Sequence, residues 1–231
     1  MSRVATLRWA ETAVGDLGRS FREAADPGRA VEMRTYMRDQ FAYFGIPTPE
    51  RRAITKRVLA PLGSPSPGDL EAIGPLAWAA DEREMQYAAV DVLVRHVKVG
   101  RPELLDVVGE LVITKSWWDT VDALASNVVG PLALRYPSLV TTLDGWVAGD
   151  ELWLARAAIL HQLRFKTDTD VDRLFRYSLA WAECSDFFAR KAIGWALRQY
   201  ARTDPEAVRS FLADHGDVLS ALTVREASKH L

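Results

Sequence analysis

A short pattern recurs along this chain at an almost constant interval. Gln86-Tyr87-Ala88-Ala89-Val90 aligns with Val121-Asp122-Ala123-Leu124-Ala125, with Ala155-Arg156-Ala157-Ala158-Ile159 and with Arg190-Lys191-Ala192-Ile193-Gly194. The positions that lead each alanine are 87, 122, 156 and 191, so the steps are 35, 34 and 35 residues. A period of this length is one helix pair, and helix pairs that repeat stack their hydrophobic faces into a curved solenoid. The alanine after each key position lets neighbouring helices approach closely. Equivalent positions in such a stack point the same way, so Tyr87, Asp122, Arg156 and Lys191 are expected along one groove, with Asp122 and Arg156 adjacent on parallel helices. The expected fold class is therefore all-α, a solenoid of helix-pair repeats with a concave groove.

The rest of the chain agrees with helices. Tyr87, Val90, Val94 and Val97 form one stripe of a helix over Glu84 to Val97. Thr48-Pro49-Glu50 reads as a helix start, as do Asp150, Ser185 and Asp204-Pro205-Glu206. Asn-Gly turns between alternating apolar runs are absent. The clearest breaker, Gly63 to Gly68, is a short loop rather than a domain linker. With 231 residues, 48% of them hydrophobic and 26% charged, one globular domain spanning 1–231 is expected, with 1–30 as N-terminal capping helices. No stretch reaches the roughly 18 apolar residues of a membrane span, and Arg3, Arg8, Glu11 and Asp16 interrupt any signal-peptide core. A single cysteine, Cys184, excludes an internal disulfide and points to a reducing cytoplasm. His96, His215 and His230 lack metal-ligand spacing, so neither a metal nor a cofactor is expected.

The densest chemistry lies at Lys115-Ser116-Trp117-Trp118-Asp119-Thr120-Val121-Asp122. Ser116 and Asp119 have the spacing of a capping box, which gives Asp119 a structural task. Asp122 has none. It follows Trp118 by four residues, so both side chains leave one helix face about 40° apart. Trp117, about 100° round the helix, belongs to the core, as does Trp153. Trp195 follows Lys191 by four residues and shares its face. One surface then carries Trp118, Asp122, Arg156, Lys191 and Trp195, and Arg164, Arg198 and Arg202 extend its basic track. Net charge is −2, which by itself argues against a nucleic-acid partner. Yet 23 of the 29 basic residues are arginine, the better fork for phosphate. Arginines along a groove suit a phosphate backbone, indole faces suit a cationic base, and a carboxylate suits the positive charge that develops on a sugar during glycosidic cleavage. Together these parts describe base excision from DNA.

Three longer segments, Thr114 to Asp122, Trp153 to Leu160 and Lys191 to Tyr200, resemble the AlkD family of DNA alkylation repair enzymes. So do Tyr36-Met37, Phe44 to Arg52 and Arg225 to His230. The resemblance runs from about Glu32 to the C-terminus and consists of several motifs in order. It implies a right-handed HEAT-like repeat fold and a monofunctional glycosylase for positively charged N3- and N7-alkylated purines in duplex DNA, acting without base flipping. It also implies a bacterial, nucleoid-associated monomer. It assigns the catalytic carboxylate to Asp122, the cleft aromatics to Trp118 and Trp195, a further aromatic contact to Tyr36 and a backbone contact to Arg156. Pro47 stands where the family often has a glutamine, a departure at one position that the resemblance implies contacts DNA.

Each residue also has a plainer reading. On position alone the tryptophans of repeat helices are core, and Trp9, Trp78, Trp146 and Trp181 are packing. His161 is a satisfied core histidine. Asp122 and Arg156 can form a structural ion pair. The run Arg51, Arg52, Lys56, Arg57 is either a solvated helix face or a DNA-facing one. Two other functions stay open: a non-catalytic relative that binds damaged or branched DNA, and a helical scaffold for proteins with an apolar groove.

Overall fold

The computed structural model describes residues 8–231, so Arg3 of the expected capping segment lies outside the described residues. The described chain is all-α. Its only β feature is a single parallel bridge between Ala42 and Glu82, where the Arg83 amide donates to the Ala42 carbonyl at 2.9 Å. Its contacts divide into two compact units, 1–115 and 116–231.

In the first unit, α1 (Arg8–Glu23), α2 (Pro27–Tyr36), α3 (Thr48–Leu59), α4 (Pro67–Trp78), α5 (Arg83–His96) and α6 (Leu104–Ile113) succeed one another. Helix α1 packs on α3 and α4, and α4 lies between α5 and α6. Leu17, Phe21, Phe44, Ile46, Ile54, Met85 and Ala88 form its core cluster. The expected α5 stripe is present, with Val90 buried and Tyr87 half-buried. Between α2 and α3 the chain runs through Gly45, at φ +88, where a Cβ would stand 2.1 Å from the Asp26 carbonyl oxygen. Only glycine fits this approach.

In the second unit, α7 (Trp118–Leu124) continues through a π turn (Ala125–Val129) into α8 (Gly130–Arg135). Then follow α9 (Val140–Ala148), α10 (Leu152–Leu160), α11 (Val171–Ala180), α12 (Phe187–Tyr200), α13 (Pro205–His215) and α14 (Ala221–Ala227). Helices α7, α10, α12 and α14 pack in succession as one layer, while α9 and α11 adjoin in the other. The first residues of that layer's helices, 118, 152, 187 and 221, are again 34, 35 and 34 apart. The repeat read from sequence is thus a stack of parallel helices within this unit.

Helix starts differ from the sequence reading by a residue or two. Asp204 caps α13 as expected, accepting from the Ala207 amide at 2.9 Å. Two of the other expected starts are capped by the residue one step further on. Glu151, not Asp150, accepts from the Leu154 amide, and Asp186, not Ser185, accepts from Phe188. Helix α3 begins at Thr48 itself, with Pro47 at its cap and no side-chain cap bond. Ser66, read only as part of a loop, makes a full capping box with Asp69. Ser116 does not cap α7. The cap is Trp117, held extended at φ −161 and ψ 156, and no side-chain bond closes it.

Candidate active site

Trp117 explains the late start of α7. Its ring does not sink into the core but joins Trp153 and Phe188, with centroids 6.1 and 5.0 Å away, and Trp153 lies 5.1 Å from Phe188. All three rings are half-buried, so the expectation that Trp117 and Trp153 are core is corrected. They form an aromatic cluster that ties the beginnings of three neighbouring helices together. Trp118 follows as the first residue of α7, while Thr120, Val121 and Leu124 turn inward. The helix widens just past the site, where Pro131 has no N–H to return to the preceding turn. Ser126 and Asn127 bridge the loosened turn, donating to the carbonyls of Asp122 at 2.8 Å and Ala123 at 2.9 Å. Gly130 is required there, because a Cβ would stand 2.3 Å from the His161 carbonyl oxygen.

Asp122 projects from the middle of α7 towards α10. Arg156 grips it with both arms of its fork, Nε to Oδ1 at 2.7 Å and Nη2 to Oδ2 at 2.8 Å. The third arm, Nη1, donates to the carbonyl of Phe188, and the guanidinium lies 5.8 Å from that residue's ring. The Arg156 guanidinium is therefore fixed at three points and sealed at 4% exposure. Its expected place on a DNA backbone does not match this geometry, because the fork is occupied by the acid. The adjacency of Asp122 and Arg156 in the stack is as the repeat requires.

Burial pushes the Asp122 carboxyl above its ordinary value, nearby Asp119 adds to this, and the Arg156 guanidinium opposes it. The two-point contact to an arginine is one that the ionised carboxylate makes, since arginine does not give up its proton. Arg156 takes one direction on each carboxylate oxygen, which leaves further lone pairs. The Asp122 side chain keeps 14% of its surface exposed. The group is a braced anion with one accessible edge.

The tryptophans sort themselves by what their indole N–H groups do. Trp78 donates to the carbonyls of Leu111 and Thr114, at 3.2 and 2.9 Å, Trp181 to Val147 at 2.9 Å and Trp9 to Gly63 at 3.3 Å. These are anchored packing residues. Trp118 and Trp195 are half-buried and make no hydrogen bond or ring contact among the described residues. Trp146 is similar but sits on α9, outside the layer that holds Asp122. Tyr36 ends α2 in the first unit with 74% of its surface exposed. His161 is buried as expected, its Nδ1 2.5 Å from the Ala158 carbonyl, and burial pulls its pKa down to about 4.

The basic track is present but none of its members is loose. Arg164, exposed at the end of the α10 segment, donates to the Asn127 side chain. Lys191 and Arg198 both reach Glu226, at 3.1 and 3.0 Å, and Lys229 reaches it at 2.6 Å. Arg202 lies 2.9 Å from His230. Glu226 is buried, and Lys229 first and then Lys191 hold its carboxyl down to about 2. Gly194 lets α14 come in to deliver it, because a Cβ at 194 would lie 2.6 Å from the Glu226 Cβ. The sequence reading did not single out Glu226, yet its signal was there: 226 is 35 past 191, and Ala227 follows it as an alanine follows every key position. Phe188 and Asn127 carried no such signal, because their roles depend on how neighbouring helices dock. No group of three or more histidine, cysteine, aspartate or glutamate side chains among the described residues is arranged to hold a metal ion.

No curated protein matches the chain. A solved structure does: a predicted DNA alkylation repair enzyme from Enterococcus faecalis, with a TM-score of 0.82 and 33% sequence identity over 90% of this chain and 96% of that one. The family model described as DNA alkylation repair enzyme matches residues 17–231, which include every side chain of the Asp122 site. The chain belongs to the DNA alkylation repair enzyme family.

Proposed function

We propose that this chain is a monofunctional DNA glycosylase that releases positively charged N3- and N7-alkylated purines from duplex DNA without flipping the base. The observation that carries the reading is Asp122: an ionised carboxylate braced from behind by Arg156, with an accessible edge and an uncommitted indole, Trp118, one turn away on the same helix. An alkylated purine is a cation while attached and leaves as a neutral base, so no general acid has to protonate it. The difficulty is the positive charge that builds on the deoxyribose. A fixed anion at that point stabilises it without reorganisation, and a group in that role is worth about 3–4 kcal/mol. The free lone pairs of Asp122 can also hold the attacking water. Arg156 keeps the carboxylate in one orientation, and the Phe188 carbonyl keeps Arg156 in its own. Trp118 and Trp195 offer flat faces to a cationic base, worth about 0.5–2 kcal/mol each.

The test is chemical. Incubation with N7-methylated duplex should yield free N7-methylguanine and an abasic site in an uncut strand, with no release from undamaged DNA. The Asp122–Arg156 ion pair favours one other reading, in which the pair is a brace and the chain only binds damaged DNA. Tight, salt-sensitive binding of methylated duplex without any base release would establish that reading instead.

A further inference from the structure

The first unit contains a cleft of about 510 Å³ that the Asp122 chemistry does not use. Helices α3 and α5 form its sides, and the Trp9 ring and the turn at Gly63 and Ser64 close one end. Leu59, Val92 and Trp9 give it an apolar floor, and the hydrogen bond from the Trp9 indole to the Gly63 carbonyl pins that wall. Its rim is cationic. Arg52, Lys56 and Arg95 line it with a single carboxylate, Asp91, among them. Asp91 is already engaged: Arg51 reaches it at 3.1 Å, and Arg52 reaches it with two nitrogens at 3.2 and 3.4 Å. Lys56 and Arg95 have no acidic partner among the described residues. The structure thereby divides the run that the sequence left open. Arg51 is buried against Tyr87, with its guanidinium 4.7 Å from the ring, and Arg57 is exposed outside the cleft, whereas Arg52 and Lys56, one helical turn apart, face into it.

We propose that this cleft is a second DNA contact, in which Lys56 and Arg95 take two backbone phosphates and the apolar floor receives the deoxyribose between them. Charge complementarity selects the occupant. Two unpaired cations fixed on neighbouring helices above an apolar floor match a polyanion with apolar sugar faces, and contacts of this kind set grip and register without reading sequence. The proposal rests on the glycosylase reading only for the identity of the ligand, not for the chemistry at Asp122.

The experiment measures binding of the full chain to a methylated duplex over a range of salt concentrations. Lys56→Ala with Arg95→Ala should lower the slope of log K against log salt by about 1.8, at about 0.9 per phosphate lost. Affinity near 0.1 M salt should weaken by about tenfold, and the half-saturating concentration for base release should rise in proportion. A charge-matched control, Arg22→Ala with Arg57→Ala, removes two exposed arginines outside the cleft and should leave the slope unchanged. An unchanged slope in the cleft variant, or an equal drop in the control, overturns the proposal. Asp122→Asn separates the two readings, since it should slow release by about 10²–10³ while keeping the wild-type slope.

Discussion

One carboxylate in each unit, Glu84 and Asp122, is held on its helix by several hydrogen bonds, and the two are treated in opposite ways. In the first unit Glu84, the second residue of α5, is fully enclosed and accepts the backbone N–H groups of Phe44, Gly45 and Ile46 at 3.0, 2.8 and 3.1 Å. Its charge is distributed over a turn that glycine alone can make, and nothing from solvent reaches it. In the second unit Asp122 receives its hydrogen bonds from one arginine and keeps an edge open. Burial of an acid is therefore not what marks a reactive site in this protein. What marks it is an anion whose orientation is fixed while part of its accepting capacity is left unused. Glu226 shows the closed arrangement again inside the second unit, with three cations around one buried carboxylate.

The comparison predicts its largest effect at Glu84. Glu84→Ala strands three buried N–H groups at about 1–3 kcal/mol each, less what relaxation recovers, so unfolding in urea should show a loss of about 4 kcal/mol, with base release per folded molecule unchanged. A smaller loss would mean that the loop finds other acceptors and that Glu84 is not the keystone of its turn.

A second closed group is His161. Its folded pKa of about 4 lies below the ordinary 6.5, so it stays neutral in the fold while the unfolded chain takes up a proton. Stability should be full above pH 6.5 and decline as the pH falls towards 4, by about 3 kcal/mol at 1.36 kcal/mol per unit. His161→Phe should flatten that window in urea titrations at pH 7 and 5. Glu226 contributes in a separate, lower window. Its folded pKa of about 2 lies below the ordinary 4.5, so its contribution holds above pH 4.5 and is lost as the pH falls towards 2.

Gly194 tests the closed arrangement through packing. Gly194→Ala places a Cβ 2.6 Å from the Glu226 Cβ and 3.0 Å from the Thr223 carbonyl oxygen, so α14 must move off α12. The expected cost is about 2 kcal/mol, which a thermal scan reads as a drop of roughly 4–8 °C. Trp118 tests the open arrangement, with the smallest effect. Trp118→Ala should slow base release about tenfold, close to 1.4 kcal/mol, and shift the melting temperature far less than a core tryptophan would. Should Trp118→Ala instead unfold the unit, Trp118 is packing and the open site loses its aromatic wall.

The layer of parallel helices was legible in the sequence because its period is long and each key residue precedes an alanine. The pairing of Asp122 with Arg156 followed from that register alone. The exact helix starts were not, because a cap depends on where neighbouring side chains pull the backbone. Trp117 is the clear case: a ring drawn to Trp153 and Phe188 holds its own backbone extended and delays α7 beyond Ser116. Glu84 was equally hidden, since its three partners lie 38–40 residues earlier in a loop without any pattern. Charge totals also misled. The net −2 conceals a cleft in the first unit where two cations, Lys56 and Arg95, have no acidic partner among the described residues.

The most direct measurement is single-turnover release of N7-methylguanine by Asp122→Asn at saturating protein, with folding checked by circular dichroism. Asparagine keeps the shape and one acceptor for Arg156 but removes the charge. The release rate should fall by about 10²–10³, the scale of losing one group aimed at a developing charge, while binding to the duplex persists. Release at the wild-type rate from the folded variant would contradict the assignment of the chemistry to Asp122.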